Sequence, residues 1–469
     1  VTFFSAIPVP ETQIGVALET ERGVPVAPAF WIPIMGPKYK PDLKLLPDEG
    51  LRGSMVTIYD EVPGLRYDNH SWDQHPYLDS FPVFLRALLG SKDILTKATP
   101  FTTLVLEAKA ADKKIVTVAA LTEGSSVVLD EGTAAEETRV VGKVTKIKAG
   151  EWEAVVVALG FKHEVGGTVT APTELLVEAK ALATTIKTAA NVEAGRYIVV
   201  GAGAGQETAL VTKATEVKAG EFTLTLAYPL ALTHAAKAAV LGLTGHSFSL
   251  LNNEPAEGNQ PVSCTLTDYT GETNWRQLAA AQLDSITLSG AADALPKAAL
   301  NWFANAANTP SPTPTATYSP AEAPPGWTVK ASVGGTQIGY LVSWEASLKR
   351  GVKNIPAITG TQNYYQHFAG ALDPTMKIVV LEDPAASWLT AYENGELESI
   401  DLTLSDVESG FALNLHSTKA KFLTGDLDRS KEWVEVPLEV QLLPSSTDAL
   451  AGGVSPIVAT VANSNTLAY

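Results

Sequence analysis

The feature that most constrains this sequence is an internal echo. Glu137-Thr138-x-x-Val141-x-Lys143-x-Thr145-x-x-Lys148-Ala149-Gly150-Glu151-Trp152 returns as Glu207-Thr208-x-x-Val211-x-Lys213-x-Thr215-x-x-Lys218-Ala219-Gly220-Glu221-Phe222, with nine of sixteen positions identical and no gap. The match spreads outward with single-residue shifts. Val105–Ala110 pairs with Leu176–Ala181, and Leu159, His163 and Val169 pair with Leu230, His234 and Val240. The repeating unit is therefore about 70 residues, over 104–173 and 174–243. A period that long marks a tandem module rather than a solenoid. Short runs such as Tyr197-Ile198-Val199-Val200 and Phe222–Leu226, set between Gly-bearing turns, predict a small β-barrel, sandwich or Ig-like module for each copy. The rest reads as one domain interrupted by this insert. Its first part is 1–103, its second part 244–443, and a C-terminal arm follows over 444–469. The ends of the insert must lie close together, because it sits on a loop of its host.

The host segments also read as mainly β. Ile400, Leu402 and Leu404 share one face, as do Phe411, Leu413 and Leu415, and Val434 to Leu442 alternate in the same way. Period-two alternation marks antiparallel strands with one wetted face. Residues 54–60 and 283–288 predict strands, and 295–303 fits a strand or a helix. Residues 1–35, interrupted by Pro8, Pro10, Pro25, Pro28 and Pro33, read as an irregular arm. Pro82–Gly90, after Asp79 and Ser80 as possible caps, predicts a short amphipathic helix. Asp383, Pro384 and Gly395 bracket a second one. Thr309–Gly326 is proline-rich and predicts an extended contact loop. The Ser-, Ala- and Gly-rich stretch Pro444–Tyr469 is expected to need neighbouring subunits to hold it.

Composition excludes several classes. The net charge is −17, and residues 241–469 hold most of it, with 23 acids against 11 bases. Such a surface repels nucleic acid, whose binding rests on Lys and Arg contacts to phosphate. No run of 18 apolar residues predicts a membrane helix. No basic leader opens the sequence, so no signal peptide is expected. The single Cys264 forbids an internal disulfide and points to synthesis in a reducing cytoplasm.

Catalytic motifs do not emerge. Gly201-Ala202-Gly203-Ala204-Gly205 lacks the spacing of a dinucleotide fingerprint and reads as a hairpin turn. Asp68, His70, Asp73 and His75, read as a polar loop, form the densest set of metal-ligand types, but a metal needs four or more converging donors. His163 and His234 recur between the copies as turn hydrogen-bonders. Glu393, Glu396, Glu398 and Asp401 would supply a glycosidase pair, yet wetted sheets carry carboxylates anyway. No enzyme is expected, and no catalytic, cofactor-binding or metal-binding residue is assigned.

Thr12-Gln13-Ile14-Gly15-Val16-Ala17-Leu18-Glu19-Thr20-Glu21-Arg22-Gly23-Val24-Pro25-Val26-Ala27-Pro28, followed by Trp31-Ile32-Pro33-Ile34, resembles the start of major tail tube proteins of long-tailed, siphovirus-type bacteriophages. Asp48–Ser54, Phe84–Gly90, His246–Leu250 and Leu283–Gly290 fit the same pattern in the same order. The resemblance covers about 1–103 and 244–443, and the duplicated insert departs from it. The phrase Glu207–Lys213 is similar to small β-modules of other phage structural proteins. The resemblance implies a β-sandwich or barrel with flanking helices. It implies a homo-hexamer ring, joined sheet edge to sheet edge, and rings stacked into a tube. The implied partners are a tape-measure protein, tail-tip and tail-terminator proteins, and genomic DNA passing without specific binding. The implied location is the virion tail, after assembly in the host cytoplasm. On this reading Glu396, Glu398, Asp401, Glu435 and Glu439 are expected to line an acidic lumen. Thr12, Gln13, Trp31, Pro312, Pro314 and Tyr469 are expected to make inter-subunit contacts, and the insert is expected on the outside. The alternative is a phage decoration protein or adhesin that binds host-surface glycan.

Overall fold

Alternating apolar residues build most of this protein. Ala298, Leu300 and Trp302 are buried, as are Trp344, Ala346 and Leu348, then Met376, Ile378 and Val380, then Val436, Leu438, Val440 and Leu442. The residues between them are mostly Ser, Thr, Asn or charged, which is how a sheet with one core face and one wetted face is specified. The computed structural model describes residues 11–469 except 51, 54, 97–101, 118–120, 122–125, 130–136, 149–150, 166–167, 171–172, 190, 202–205, 219–220, 256–257, 271–274, 309–314, 319–320, 339, 383–391, 408 and 466. The fold is mainly β. The chain divides into two units.

The first unit comprises 1–92, 248–404 and 414–459. Its strands are β1 (Gln13–Leu18), β2 (Phe30–Ile32), β3 (Met35–Asp48), β4 (Asp60–Gln74), β5 (Cys264–Tyr269), β6 (Trp275–Ala291) and β7 (Lys297–Ala304). They continue as β8 (Lys330–Val333), β9 (Thr336–Gln337), β10 (Leu341–Lys349), β11 (Asp373–Leu381), β12 (Glu398–Ser405), β13 (Ala412–Phe422) and β14 (Glu435–Leu442). The ends of β12 and β13 at 405–413 count with the second unit. Eight strands form one continuous antiparallel sheet in the order β3-β4-β7-β6-β10-β11-β14-β13. Beside it β1 pairs with β2 and β5, and β8 pairs with β9 and β12.

Helix α1 (Pro82–Leu89) is buried all round except at Arg86, so it is a core helix rather than an amphipathic one. Its cap is Phe81, with no side-chain cap, and not Asp79 or Ser80. Gly90 ends it at φ 90°, donating its N–H to the Arg86 carbonyl, a left-handed stop that suits glycine. The α1 ring of Phe84 meets Trp72 and Trp302 edge-on at 6.4 and 6.2 Å, and those indoles stack at 5.9 Å.

Several local expectations change. Residues 1–35 are not an irregular arm over their described length, since β1 and β2 pair there, Ile14 opposite Ile32. Of residues 54–60, expected as a strand, 55–59 are irregular and Asp60 opens β4. The Tyr59 N–H donates to the Asp48 carbonyl at 2.9 Å, and residue 54 lies outside the described residues. Residues 295–303 resolve as strand β7. The second helix falls mostly outside the described residues; Tyr392–Asn394 are helical, and Gly395 follows at φ 64°. The proline loop is described only at 315–318 and from 321 onward.

The second unit comprises 93–247, 405–413 and 460–469. It contains two six-stranded modules. In the first, the spatial order is Thr102–Thr103, Thr168–Thr170, Ser126–Leu129, Glu137–Lys148, Glu151–Val156 and Lys114–Thr117. The second repeats it with Thr173–Glu174, Ala239–Gly242, Tyr197–Val200, Glu207–Lys218, Glu221–Leu226 and Thr185–Thr188. Even the irregularities correspond, because each long hairpin shifts register twice at matching places. Each module has its own apolar core, around Val127, Leu129 and Val141 in one and Ile198, Val200 and Val211 in the other. At the root of the pair, Ile94–Thr96 runs antiparallel to Gly245–Ser247, with Thr96 opposite Gly245. A chain segment that leaves and returns across such a pair is held at both ends.

Candidate assembly surfaces

The wetted face of the eight-stranded sheet is built in rows. Asp73, Ala299, Thr287, Ser347, Thr375 and Gln441 stand directly opposite one another across six strands. A parallel row runs Lys297, Ser289, Glu345, Lys377, Glu439. Lys377 Nζ reaches Glu439 Oε1 at 3.4 Å with both side chains half exposed. Charges of opposite sign therefore alternate along this row, and the hydroxyls of Thr287, Ser347 and Thr375 stand side by side in the other.

Of the five carboxylates expected in a lumen, Glu439 lies on this face, and Glu435 shares its side of β14. Glu435 is covered: Lys431 Nζ at 2.8 Å and Trp433 Nε1 at 2.7 Å donate to it, and the Lys431 hydrogen bond holds its carboxyl below the usual range. Asp401 accepts from His416 Nδ1 at 2.8 Å. Glu398 is half-buried against the Gly334 turn, and Glu396 is exposed beside Asn394.

The expected contact residues are scattered. Thr12 and Gln13 are partly exposed at the start of β1. Trp31 is buried in β2 opposite Gly15, where a Cβ would stand 3.3 Å from its ring. Pro312 and Pro314 lie outside the described residues. Tyr469 is buried in the second unit: its N–H donates to Asp93 Oδ2 at 3.0 Å, Asn463 Nδ2 donates to its hydroxyl at 3.0 Å, and its ring meets His246 edge-on at 4.7 Å. The C-terminal stretch is thus held by its own chain, where sequence reasoning expected neighbours to hold it.

The Asp68, His70, Asp73, His75 set is not a loop but part of β4, and the pleat splits it. Asp68 and His70 face inward with Trp72 and Gln74, while Asp73 faces solvent and His75 Nδ1 lies 2.7 Å from the Pro296 carbonyl. Asp68 accepts from the Tyr39 hydroxyl at 2.6 Å, Arg66 Nε at 3.1 Å and the Ala307 N–H at 2.8 Å. Burial, then the Asp68 hydrogen bond, pushes the Tyr39 phenol up to about 12. His70 Nε2 sits 3.3 Å from Asp268, which also pairs with Arg276. Asp68, Tyr39 and Arg66 satisfy one another inside the sheet, whereas both ring nitrogens of His70 and Gln74 Nε2 are buried without a hydrogen bond. Among the described residues no cluster suited to a metal ion occurs, and no helix is long and apolar enough to cross a membrane.

In each module the recurring His takes part in a backbone bridge, Ala108 with His163 and Ala179 with His234. In the second, Glu207 accepts from His234 Nε2 at 2.8 Å, from the Ala231 N–H at 2.7 Å and from the Leu232 N–H at 2.9 Å. The two residue types that recur between copies thus tie a loop to a strand.

Sequence reasoning missed the β3–β4 hairpin. Leu43, Leu45, Leu46, Met55, Val56, Ile58 and Val62 are all exposed on it, Met55 completely. An apolar cluster of this kind on one projecting element marks a contact surface. The signal was present as Leu43-Lys44-Leu45-Leu46, but the first half of β3 contains Gly36, Pro37 and Pro41 among Lys38, Lys40 and Asp42, which hides its strand character.

No curated protein matches the chain. The family model for phage tail tube proteins matches residues 155–453, from the last-but-one strand of the first module through the second module to beyond β14. That span is well over half of the chain, and it carries the second module as well as most of the sheet. The chain belongs to the phage tail tube protein family.

Proposed function

We propose that subunits of this structural tail protein join sheet edge to sheet edge into rings with six equivalent wall segments, and that rings stack into a conduit for DNA. The observation that carries this reading is the pair of open edges on the continuous sheet. β3 is paired on one side by β4 alone among the described residues, and the chain beyond Phe422 continues on the outer side of β14. Unpaired antiparallel edges recruit a further strand. The exposed apolar hairpin supplies the stacking contact from ring to ring. The wetted face lines the bore. Its hydroxyl row and its alternating Lys and carboxylate row give phosphates no continuous basic track to adhere to. On this reading the lumen is polar and mixed in charge, with Asp73, Glu345 and Glu439 among its carboxylates. The tape-measure protein fills the bore during assembly, tip and terminator proteins close the ends, and the modules face outward.

Electron microscopy of the concentrated protein, alone and with its tape-measure protein, tests the reading. Rings or tubes are expected. Protein that stays monomeric under both conditions rejects it, as does a reconstruction with a positively charged bore.

A further inference from the structure

The first unit contains a second duplication, which the residues do not show. Its strand pairings fall into two matching sets. β1 pairs with β2 as β8 pairs with β9, and β1 with β5 as β8 with β12. β3 pairs with β4 as β10 pairs with β11. β4 pairs with β7 as β11 with β14, and β7 with β6 as β14 with β13. The details agree as well. Each hairpin shifts register near the start of its first strand, between Met35 and Lys38 and between Leu341 and Ser343. A helical segment follows each hairpin and ends in a left-handed glycine, Gly90 or Gly395. The first packs on β6, and Tyr392 of the second lies against Gly425, just beyond β13.

Among the described pairings of the eight-stranded sheet, one has no counterpart, and it is the seam between the halves. Residues 285–291 of β6 pair antiparallel with 343–349 of β10. The equivalent strands are the segment after Phe422 and β3, which are the two open edges. We propose that each chain supplies two successive wall segments, and that the seam between chains repeats the β6–β10 seam, with the segment 423–429 of one copy pairing with β3 of the next. The inference rests on the tube reading and fixes its stoichiometry, so a ring of six segments holds three chains. With β14 in step with β7, Glu435 standing for Lys297, the β6–β10 register carried across places Leu427 opposite Lys38 of the neighbour, as Ser289 stands opposite Glu345, and both are exposed in the single chain. The two stoichiometries differ in size. Eight strands tilted as in a closed barrel span about 50 Å of wall, so three chains close at a backbone diameter of about 50 Å, whereas six would leave about 95 Å.

The test has two parts. Native mass spectrometry and the rotational symmetry of wild-type rings should give three chains and threefold symmetry with a sixfold-like outline. Then Lys38→Cys and Leu427→Cys, as separate variants mixed before oxidation, should cross-link as dimers. The double variant should give a covalent ladder ending at three chains. Native Cys264 is buried and does not compete. Rings of six chains, or well-formed rings that do not cross-link, overturn the inference and leave the tube reading standing. Absence of any ring overturns both.

Discussion

At the scale of single residues, two polar groups lead to testable effects on stability. His367 is buried, with Nδ1 2.7 Å from Asn354 Oδ1 and Nε2 3.3 Å from Asn305 Oδ1. Burial, helped by Arg22, lowers its pKa to about 4. A histidine depressed in the folded state stabilises it above the unfolded value of about 6.5, and that stability is lost as pH falls towards 4. The loss is on the order of 3 kcal/mol by linkage. Urea midpoints of the wild type should therefore drop between pH 6.5 and 4, and those of His367→Gln should drop less steeply. His416 has the opposite sign. The Asp401 hydrogen bond raises its pKa, so its smaller, solvent-screened contribution is lost as pH rises above that value. Glu207 is the other group. Removing its carboxylate by Glu207→Ala strands two backbone donors and a histidine, and should cost about 1–3 kcal/mol. Faster hydrogen exchange at the Leu232 amide would report it, and unchanged exchange would show that the loop is held by other means.

At the scale of elements, the β3–β4 hairpin carries the sharpest expectation. Replacing 49–59 by Asn-Gly shortens the hairpin and keeps β3 and β4 in register. Rings should still form, since the β3 edge near Lys38 remains, but stacking into long tubes should fail. Long tubes from this variant, seen by electron microscopy, would place the stacking contact elsewhere. Gly326 shows how closely the end of the proline loop docks. A Cβ there would lie 2.1 Å from the Ala291 carbonyl oxygen, so Gly326→Ala should displace that segment and lower thermal stability.

How much of this was legible depended on how cleanly each strand alternates. β14 reads directly from Val436, Leu438, Val440 and Leu442, because every second side chain is apolar. β4 did not, because the polar residues Asp68, His70 and Gln74 occupy inward positions, Gln74 accepting from Trp72 Nε1 at 2.9 Å and His70 lying 3.3 Å from Asp268. β1 was hidden by flanking prolines that lie outside its paired residues. The modules were visible because their copies still share residues such as Lys143 and Lys213. The two halves of the sheet share pairings and no comparable run of residues. A pleat needs only alternation, which many sequences satisfy.

At the scale of the whole molecule, the insert hangs from paired strands, with Thr96 opposite Gly245. The second module is not bare on its outer side, since Tyr197 and Val199 pack with Ala412 and Ala462. Removing 97–244 and joining Thr96 to Gly245 through a tight turn should leave ring and tube formation intact. Some stability should be lost from the uncovered Ala412 and Ala462. Failure of the trimmed chain to assemble, despite a folded sheet by circular dichroism, would make the modules part of the tube wall.

The β6–β10 seam has a kinetic consequence. Because it is closed within one chain, half of the joints in each ring form during folding at no cost in concentration, as an intramolecular contact does. Ring nucleation should then rise with about the third power of subunit concentration in place of the sixth, and light-scattering lag times measured over a dilution series would show the shallower dependence. A tube built as proposed would have only half as many places at which neighbouring polypeptides can part.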